Sequence, residues 1–274
     1  MTTPAIGSHA TLLPPLLIGF LIAAPIALVA WCTRSLSRSG AIAATIVGTI
    51  AVRAGYEWGI LLVAFFVSST LLSRLGQAEK ARRSAAILSN AGARDATQVM
   101  ANGALFALAA LGWVLSRRDA WMAVGAGALA AACADTWSTE LGTLARAAPR
   151  LITSGRIVPV GTSGGVTATG FAATAGGAAL IGGGAWLLRW PAPVAIAAGM
   201  GGIVGALADS LIGALWQARR RCERCDALTE RTVHDCGTAT GAAGGLAWLD
   251  NDGVNAVCTA IGALAALALW LAIA

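Results

Sequence analysis

Eight apolar stretches, each close to the length needed to cross a bilayer, leave this chain few folds to choose from. They run over residues 12–31, 40–56, 58–73, 98–116, 120–138, 164–189, 194–216 and 247–273. Crossing the hydrocarbon core takes ~20 apolar residues in a helix, and lipid offers no partner to an unpaired peptide group, so such stretches become helical. The composition agrees: 57% of the 274 residues are apolar, 12% are charged, and the mean hydropathy is +0.73, values foreign to a soluble globule. The expected fold is all-α, a polytopic integral membrane helical bundle of about eight transmembrane helices, with residues 1–274 as a single membrane domain.

The second stretch is the shortest uninterrupted one. Its apolar run from Gly40 to Val52 covers 13 residues before Arg53, which also suits a re-entrant half-span. No Lys or Arg precedes the first stretch, and Pro14, Pro15 and Pro25 break its apolar run, so it reads as a retained helix and not a cleaved signal. All ten tryptophans (Trp31, Trp58, Trp113, Trp121, Trp137, Trp186, Trp190, Trp216, Trp248 and Trp270) fall near the end of a stretch, where indole rings favour the membrane interface.

Basic residues set the orientation. With the N-terminus outside, the loops 32–39, 74–97, 139–163 and 217–246 carry 15 of the 19 Lys and Arg residues, against Arg53, Arg117, Arg118 and Arg189 on the other side. Positive loops stay cytoplasmic, so those four loops should face the cytoplasm, across the inner membrane if the cell is bacterial. The basic loop 74–97 and the Cys/His loop 217–246 are the notable extramembrane segments. Most charges of loop 74–97 suit ordinary topology and attraction to anionic headgroups, and no nucleic-acid partner is expected.

Asp135, Glu140, Asp209, Asn251 and Asp252 interrupt this apolar background. A carboxylate at a bilayer centre costs roughly 2.5 kcal/mol or more, so such residues line cavities or bind something. On the map above they gather at the cytoplasmic ends of the fifth, seventh and eighth stretches, predicting a carboxylate-lined cavity open to the cytoplasm. In A-D-T-W-S-T-E-L-G, Asp135 shares a helical face with Thr139, and Thr136 shares one with Glu140; in L-D-N-D-G-V-N, Asn251 and Asp252 lie within a turn of Asn255. Gly202, Gly205, Asp209 and Gly213 form a small-residue stripe that admits a neighbouring helix. The plain alternative is that these acids hydrogen-bond or pair within the bundle. Hard oxygen ligands gathered without matching positive charge instead suit Mg²⁺ or Mn²⁺.

Three further segments carry chemistry. In V-P-V-G-T-S-G-G-V-T, Gly161, Thr162, Ser163, Gly164 and Gly165 lead towards an apolar helix, which suits either a phosphate cradle or a loop with a hydroxyl cap. Ser39 and Gly40 open the second stretch in a similar phrase, close to Arg34 and Arg38. Arg94 and Asp95 lead into the fourth stretch with Gln98 and Asn102 at helical spacing, so both carboxamides could face the cavity. No G-x-x-x-x-G-K-[ST] occurs, which argues against a P-loop nucleotide site. Cys222, Cys225, His234 and Cys236 form C-x₂-C-x₈-H-x-C, a set able to hold a structural Zn²⁺, to stay as free thiols or to act as a redox pair. Cys32, Cys133 and Cys258 read as small core residues.

R-D-A-T-Q-V-M-A-N-G, A-D-T-W-S-T-E-L-G, V-P-V-G-T-S-G-G-V-T, A-D-S-L-I-G-A-L-W-Q, the C-x₂-C with H-D-C, and W-L-D-N-D-G-V-N together resemble the transmembrane protein 19 family, from about Ser35 to Gly262. That family includes the phytyl-phosphate kinase of tocopherol synthesis. The resemblance implies a prenyl (phytyl) phosphate kinase that passes a phosphoryl group from a nucleoside triphosphate, CTP among the candidates, to an isoprenoid monophosphate lipid. With that function, Asp135, Glu140, Asp209 and Asp252 would hold Mg²⁺, and Asn251 and Asn255 would orient substrate. The amides and hydroxyls of Gly161 to Gly165 would contact phosphate, with Ser39 and Gly40 as a related helix start, and Arg38 and Arg94 would neutralise charge. The rivals are a lipid-phosphate cytidylyltransferase and a transporter or flippase of a phosphorylated lipid or small anion.

Overall fold

The computed structural model describes residues 13–84, 92–229, 232–234 and 236–274. The predicted start of the first stretch at residue 12, His9, the middle of the basic loop (85–91), and residues 230, 231 and 235 of the Cys/His loop lie outside these. Eight long helices and one short one form among the described residues. They are α1 (Leu13–Cys32), α2 (Arg38–Ala54), α3 (Tyr56–Arg74), the short α4 (Gln77–Ser84), α5 (Ala96–Ser116), α6 (Asp119–Leu144), α7 (Ala168–Leu187), α8 (Ala192–Trp216) and α9 (Asn251–Ile273). Six of them, α1, α3, α5, α7, α8 and α9, are long and apolar enough to cross a membrane. The 17 residues of α2 rise about 25 Å, and α6 carries Asp119, Asp135 and Glu140, so length and composition alone do not make spans of these two.

The loops are not structureless. β1 (Arg150–Leu151) pairs antiparallel with β2 (Gly165–Val166), and β3 (Arg219–Cys222) is the centre of a three-stranded antiparallel sheet with β4 (Ala227–Thr229) and β5 (Gly241–Gly244). These sheets are additions to the all-helical expectation. The first also corrects a boundary. Residues 164–167 continue the hairpin, and α7 begins at Ala168, where the Thr167 hydroxyl accepts from the Gly170 amide at 3.0 Å.

One end of the bundle gathers the loops. Ser37 donates its amide to the Arg94 carbonyl at 2.9 Å, Arg74 donates to the Thr33 carbonyl at 2.8 Å, and Arg83 donates to Thr143 and Ala145 carbonyls at 2.7 Å. The long helices that start at this end are each capped by a side chain: Ser37, Asp95, Thr167 and Asp250 for α2, α5, α7 and α9. The helices that start at the other end, α3, α6 and α8, have no side-chain cap. A cap replaces the partners that the first amides of a helix lack, so the loop end is the more firmly specified one.

Helix α6 is the hub, packed on α3, α5, α7, α8 and α9. From Met122 to Ala134 nearly every residue is buried and most are alanine or glycine. Gly205 of α8 lies where a Cβ would sit 2.8 Å from the Cys258 carbonyl and against Ala131, and Gly127 lies where one would sit 2.7 Å from the Gly262 carbonyl. Small residues thus bring the α6, α8 and α9 backbones together. At the far end Trp58 is buried between Phe106 and Trp190, with ring centroids 5.2 and 4.9 Å away. Trp58 and Trp190 lie at helix ends as expected, but their rings are buried and not turned to the bundle's surface. Both face the core, where large rings fill the space that the small residues of α6 leave.

Candidate functional site

Asp135 comes from α6 and Asp209 from α8, and the close α6–α8 crossing sets their two carboxyls side by side. Contact between two carboxyls calls for a shared proton or cation. Asp209 Oδ1 is buried and has no hydrogen-bond partner among the described residues. Cys258 of α9 is the third neighbour of the pair. An unpartnered buried oxygen costs free energy unless something occupies the position opposite it, and a hard cation fits this donor set.

The other predicted ligands go elsewhere. Glu140 is five residues after Asp135, a rotation of about 140° around the helix, so it faces α3 and α4. There it takes an ion pair from Lys80 at 2.5 Å and a hydrogen bond from Ser73 at 2.5 Å. Lys80 also donates to the Leu72 and Ser73 carbonyls at 2.6 and 3.1 Å, closing the end of α3. The expectation that the acids gather without matching positive charge is wrong at Glu140, because Lys80 is distant in sequence and reaches it through α4. Asp252 lies six residues, about 9 Å of helical rise, from Cys258. Its charged neighbours are Asp250 and Asp95, the caps of α9 and α5. Asn251 is exposed and Asn255 half-buried on the same helix. The acids thus fall into a half-buried pair, the Glu140–Lys80 ion pair and an acidic cluster at the starts of α5 and α9.

Arg94 is held where the 92–95 loop crosses the start of α2. Its amide and carbonyl bond to Ser35 and Ser37, and its guanidinium donates to Ser73 at 3.2 Å. Burial lowers its pKa, and the nearby Glu140 charge opposes that shift. Arg38 is exposed and stacks over Trp31, 5.9 Å from the ring centroid, so it does not join the group.

Neither glycine phrase forms a free helix start. The Ser39 hydroxyl accepts from the Ala96 amide at 3.3 Å, the Gly40 amide donates to Ser37 at 3.1 Å, and a side chain at Gly40 would overlap the Arg94 carbonyl. Those two residues serve packing and capping. Gly161 and Gly164 take φ of 92° and 76°, conformations that favour glycine. The Gly165 amide closes a turn on the Thr162 carbonyl at 2.9 Å. This turn nonetheless packs on α8 at Ser210, the residue after Asp209 in sequence. Gly164 packs on Ala214 and the Ser210 carbonyl of α8, and Ser163 donates to Gln217 at 2.6 Å.

A cavity of about 590 Å³ lies between α1, α2, α3 and α5 and reaches Thr136 of α6. Its polar residues, Arg94, Gln98, Asn102 and Thr136, lie towards the loop end, apart from Tyr56 at the far end. Between them the walls are apolar, formed by residues such as Ile26, Val47, Val52, Ile60, Phe66 and Val99. From Tyr56 to Phe66 the wall extends about 15 Å. Thr136 follows Asp135 in sequence, so the polar mouth reaches the segment of α6 that carries Asp135, and Thr259 of α9 ties that helix to α5 by donating to the Ala101 carbonyl at 3.3 Å.

The sulfurs of Cys222 and Cys236 are 3.5 Å apart, His234 Nδ1 is 3.3 Å from Cys236 Sγ, and one ligand atom from each of Cys222, Cys225, His234 and Cys236 lies within 4.8 Å of all the others. The Thr238 hydroxyl and the His234 ring pull the Cys236 thiol down to about 5, while its neighbour Cys236 pushes Cys225 up to about 11.

Two functional features escaped sequence reading. Lys80 gave no signal beyond its being the single lysine. Asp250 did give one, since Asp three residues before Gly253 is a helix-cap pattern.

The chain is 31% identical over 268 residues to Protein PGR of Arabidopsis thaliana, with 88% of this chain and 91% of the relative covered. It is 33% identical over 206 residues to an uncharacterized membrane protein of Methanocaldococcus jannaschii, with 74% of this chain and 84% of that protein covered. No solved structure matches. The family of integral membrane proteins described as DUF92 matches over residues 21–263. This chain is therefore a member of the DUF92 integral membrane family.

Proposed function

We propose that this chain is a membrane-embedded prenyl-phosphate kinase with eight transmembrane helices, α2 and α6 included, and a site that opens to the cytoplasm. One observation carries the reading: an apolar cavity of about 590 Å³ ends in a polar mouth built from Arg94, Gln98, Asn102 and Thr136, next to the Asp135–Asp209 pair. That volume is within the ~300–1,000 Å³ of ligand sites, and the gradient from apolar lumen to cationic mouth suits an isoprenyl chain carrying a phosphate. The basic loops at the mouth support a cytoplasmic orientation, where a nucleoside triphosphate such as CTP or ATP is available.

In the reaction, an oxygen of the lipid monophosphate attacks the γ-phosphorus of the nucleotide. A new P–O–P link forms, the β–γ bridging bond breaks, and the nucleoside diphosphate leaves. The acceptor is already anionic, so no general base is required, and catalysis rests on alignment and charge neutralisation. Arg94 would bind the lipid phosphate, Gln98 and Asn102 would orient it, and the 161–165 turn would border the nucleotide. Asp135 and Asp209 fit Mg²⁺, which would supply neutralisation of phosphate charge. Asp252 and Asp250 would set the acidic rim of the nucleotide side. The apolar lumen offers no path for a phosphate group to the far side, which weighs against transport.

The test is purified protein in detergent with Mg²⁺, labelled CTP or ATP, and phytyl, geranylgeranyl or farnesyl monophosphate. The expected products are a lipid diphosphate and a nucleoside diphosphate. Pyrophosphate with a CDP-lipid would establish the cytidylyltransferase instead, and folded protein that makes no product from any pairing would overturn the kinase reading.

A further inference from the structure

We propose that Cys222, Cys225, His234 and Cys236 bind one structural zinc ion that staples the loop between α8 and α9. This inference is independent of the kinase reading. The donor set, three thiols and an imidazole, is that of closed zinc sites, in which protein fills all four positions. The spacing fits as well. Bonds of about 2.3 Å arranged tetrahedrally give ligand separations of about 3.8 Å, and the observed separations are 3.5 Å for Cys222 to Cys236 and 3.3 Å for His234 to Cys236, with all four ligand atoms within 4.8 Å.

The backbone builds the site from two facing turns. Cys222 ends β3 and Cys225 lies in the turn to β4, where Asp226 takes a left-handed φ of 54°. His234 and Cys236 occupy a second turn, framed by the Val233–Ala239 bridge, with the Gly237 amide on the His234 carbonyl at 2.9 Å. A disulfide does not describe this arrangement, because its sulfurs would be about 2.05 Å apart. Packing does not explain it either. All of β5 is exposed, as are Leu228, Val233, Leu246 and Trp248, so the sheet has almost no core of its own. Small units without a core are held by metals or disulfides.

The staple has a consequence for the bundle. The sheet's base is fixed by the Ala218 amide on the Leu249 carbonyl and the Leu246 amide on the Trp216 carbonyl, both at 2.8 Å, and Leu249 packs between Ile212 and Val254. Zinc would close the opposite edge, so that the strand leading to Asp250 and the start of α9 is held at both ends.

Metal analysis of the detergent-purified protein is expected to give about one zinc per chain, with at least tenfold less in Cys225→Ser and His234→Ala and no loss in Cys32→Ser. Cobalt loaded into the unmodified protein is expected to give the intense thiolate-to-metal and tetrahedral bands, a readout that needs no variant to fold. Chelation is expected to open protease cleavage between residues 217 and 250 while the helices stay intact. Folded protein with less than a tenth of a zinc per chain and no such cobalt spectrum, or a Cys222–Cys236 disulfide in a non-reduced digest, would overturn the proposal. An unchanged cleavage pattern after full metal removal would overturn the stapling role.

Discussion

Helices α6, α8 and α9 touch almost backbone to backbone at their shared crossing, whereas α1 and α2, though they meet closely at Gly19 and Gly48, enclose with α3 and α5 a cavity of about 590 Å³. The contrast follows from side-chain size. Where Gly127, Gly202, Gly205 and Gly262 meet alanines, the helices close on one another, and the α6–α8 crossing brings Asp135 and Asp209 together. Larger side chains such as Val47, Val52, Ile60 and Phe66 line the space left between α1, α2, α3 and α5. One half is tightly packed and holds two carboxyls; the other encloses a mostly apolar space with a polar end. Catalysts of lipid chemistry need both properties in neighbouring places, one to fix reacting groups and one to accept a chain of variable length.

The comparison breaks most sharply at the carboxyl pair. Asp135→Asn and Asp209→Asn are each expected to lower phosphoryl transfer by about 10³-fold or more, about 4 kcal/mol of barrier, while leaving the thermal midpoint in detergent unchanged or higher, because a like-charge contact is relieved. A fall in activity matched by a fall in stability would assign the pair a packing role only.

The next effect concerns the ion pair that Glu140 makes instead of joining Asp135. Lys80→Met leaves a mostly buried carboxylate without its cation and is expected to cost about 3 kcal/mol of stability, read by thermal unfolding. Lys80→Met with Glu140→Gln should recover most of it. A double variant no more stable than the single one would contradict the pairing.

The two halves can then be compared by the same kind of substitution. Gly205→Val pushes atoms into the Cys258 carbonyl and Ala131, and overpacking of this kind costs about 1–3 kcal/mol. At Gly103 a Cβ would lie 3.4 Å from Val47 with the cavity beyond it. Gly103→Phe is expected to leave stability nearly intact and to raise KM for a long-chain lipid phosphate about tenfold, about 1.4 kcal/mol, more than for a short-chain one. Equal effects of the two substitutions on stability would remove the distinction between the halves.

The bundle was legible because apolar runs and helix length are local properties. The expected ends lie within a few residues of most helices. The exceptions are the end of α6, 138 against Leu144, the start of α9, 247 against Asn251, and the start of α7, 164 against Ala168, where a short hairpin strand and a helix start are both apolar and glycine-rich. The site was legible in kind and not in pairing. Asp135 and Asp209 belong to helices whose crossing depends on glycines in three separate segments, a tertiary property. Glu140 looked equivalent to Asp135 until helical rotation was set against Lys80, sixty residues earlier. Asp252 could not be divided from the pair without knowing that α5 and α9 bring their caps together. The Cys/His spacing, by contrast, could be read directly, since its two turns are local.

The claim that the cavity and the acid pair form one lipid-phosphate site is tested most directly by crosslinking. Purified protein is illuminated with an isoprenyl monophosphate bearing a photoreactive group at its chain end, and the labelled peptides are mapped. Labelling of Val52, Ile60 or neighbouring cavity residues of α2 and α3, suppressed by excess geranylgeranyl monophosphate and reduced by Gly103→Phe, is the expected result. Labelling confined to outward-facing residues such as Leu211 and Leu215, with no competition, would contradict the account.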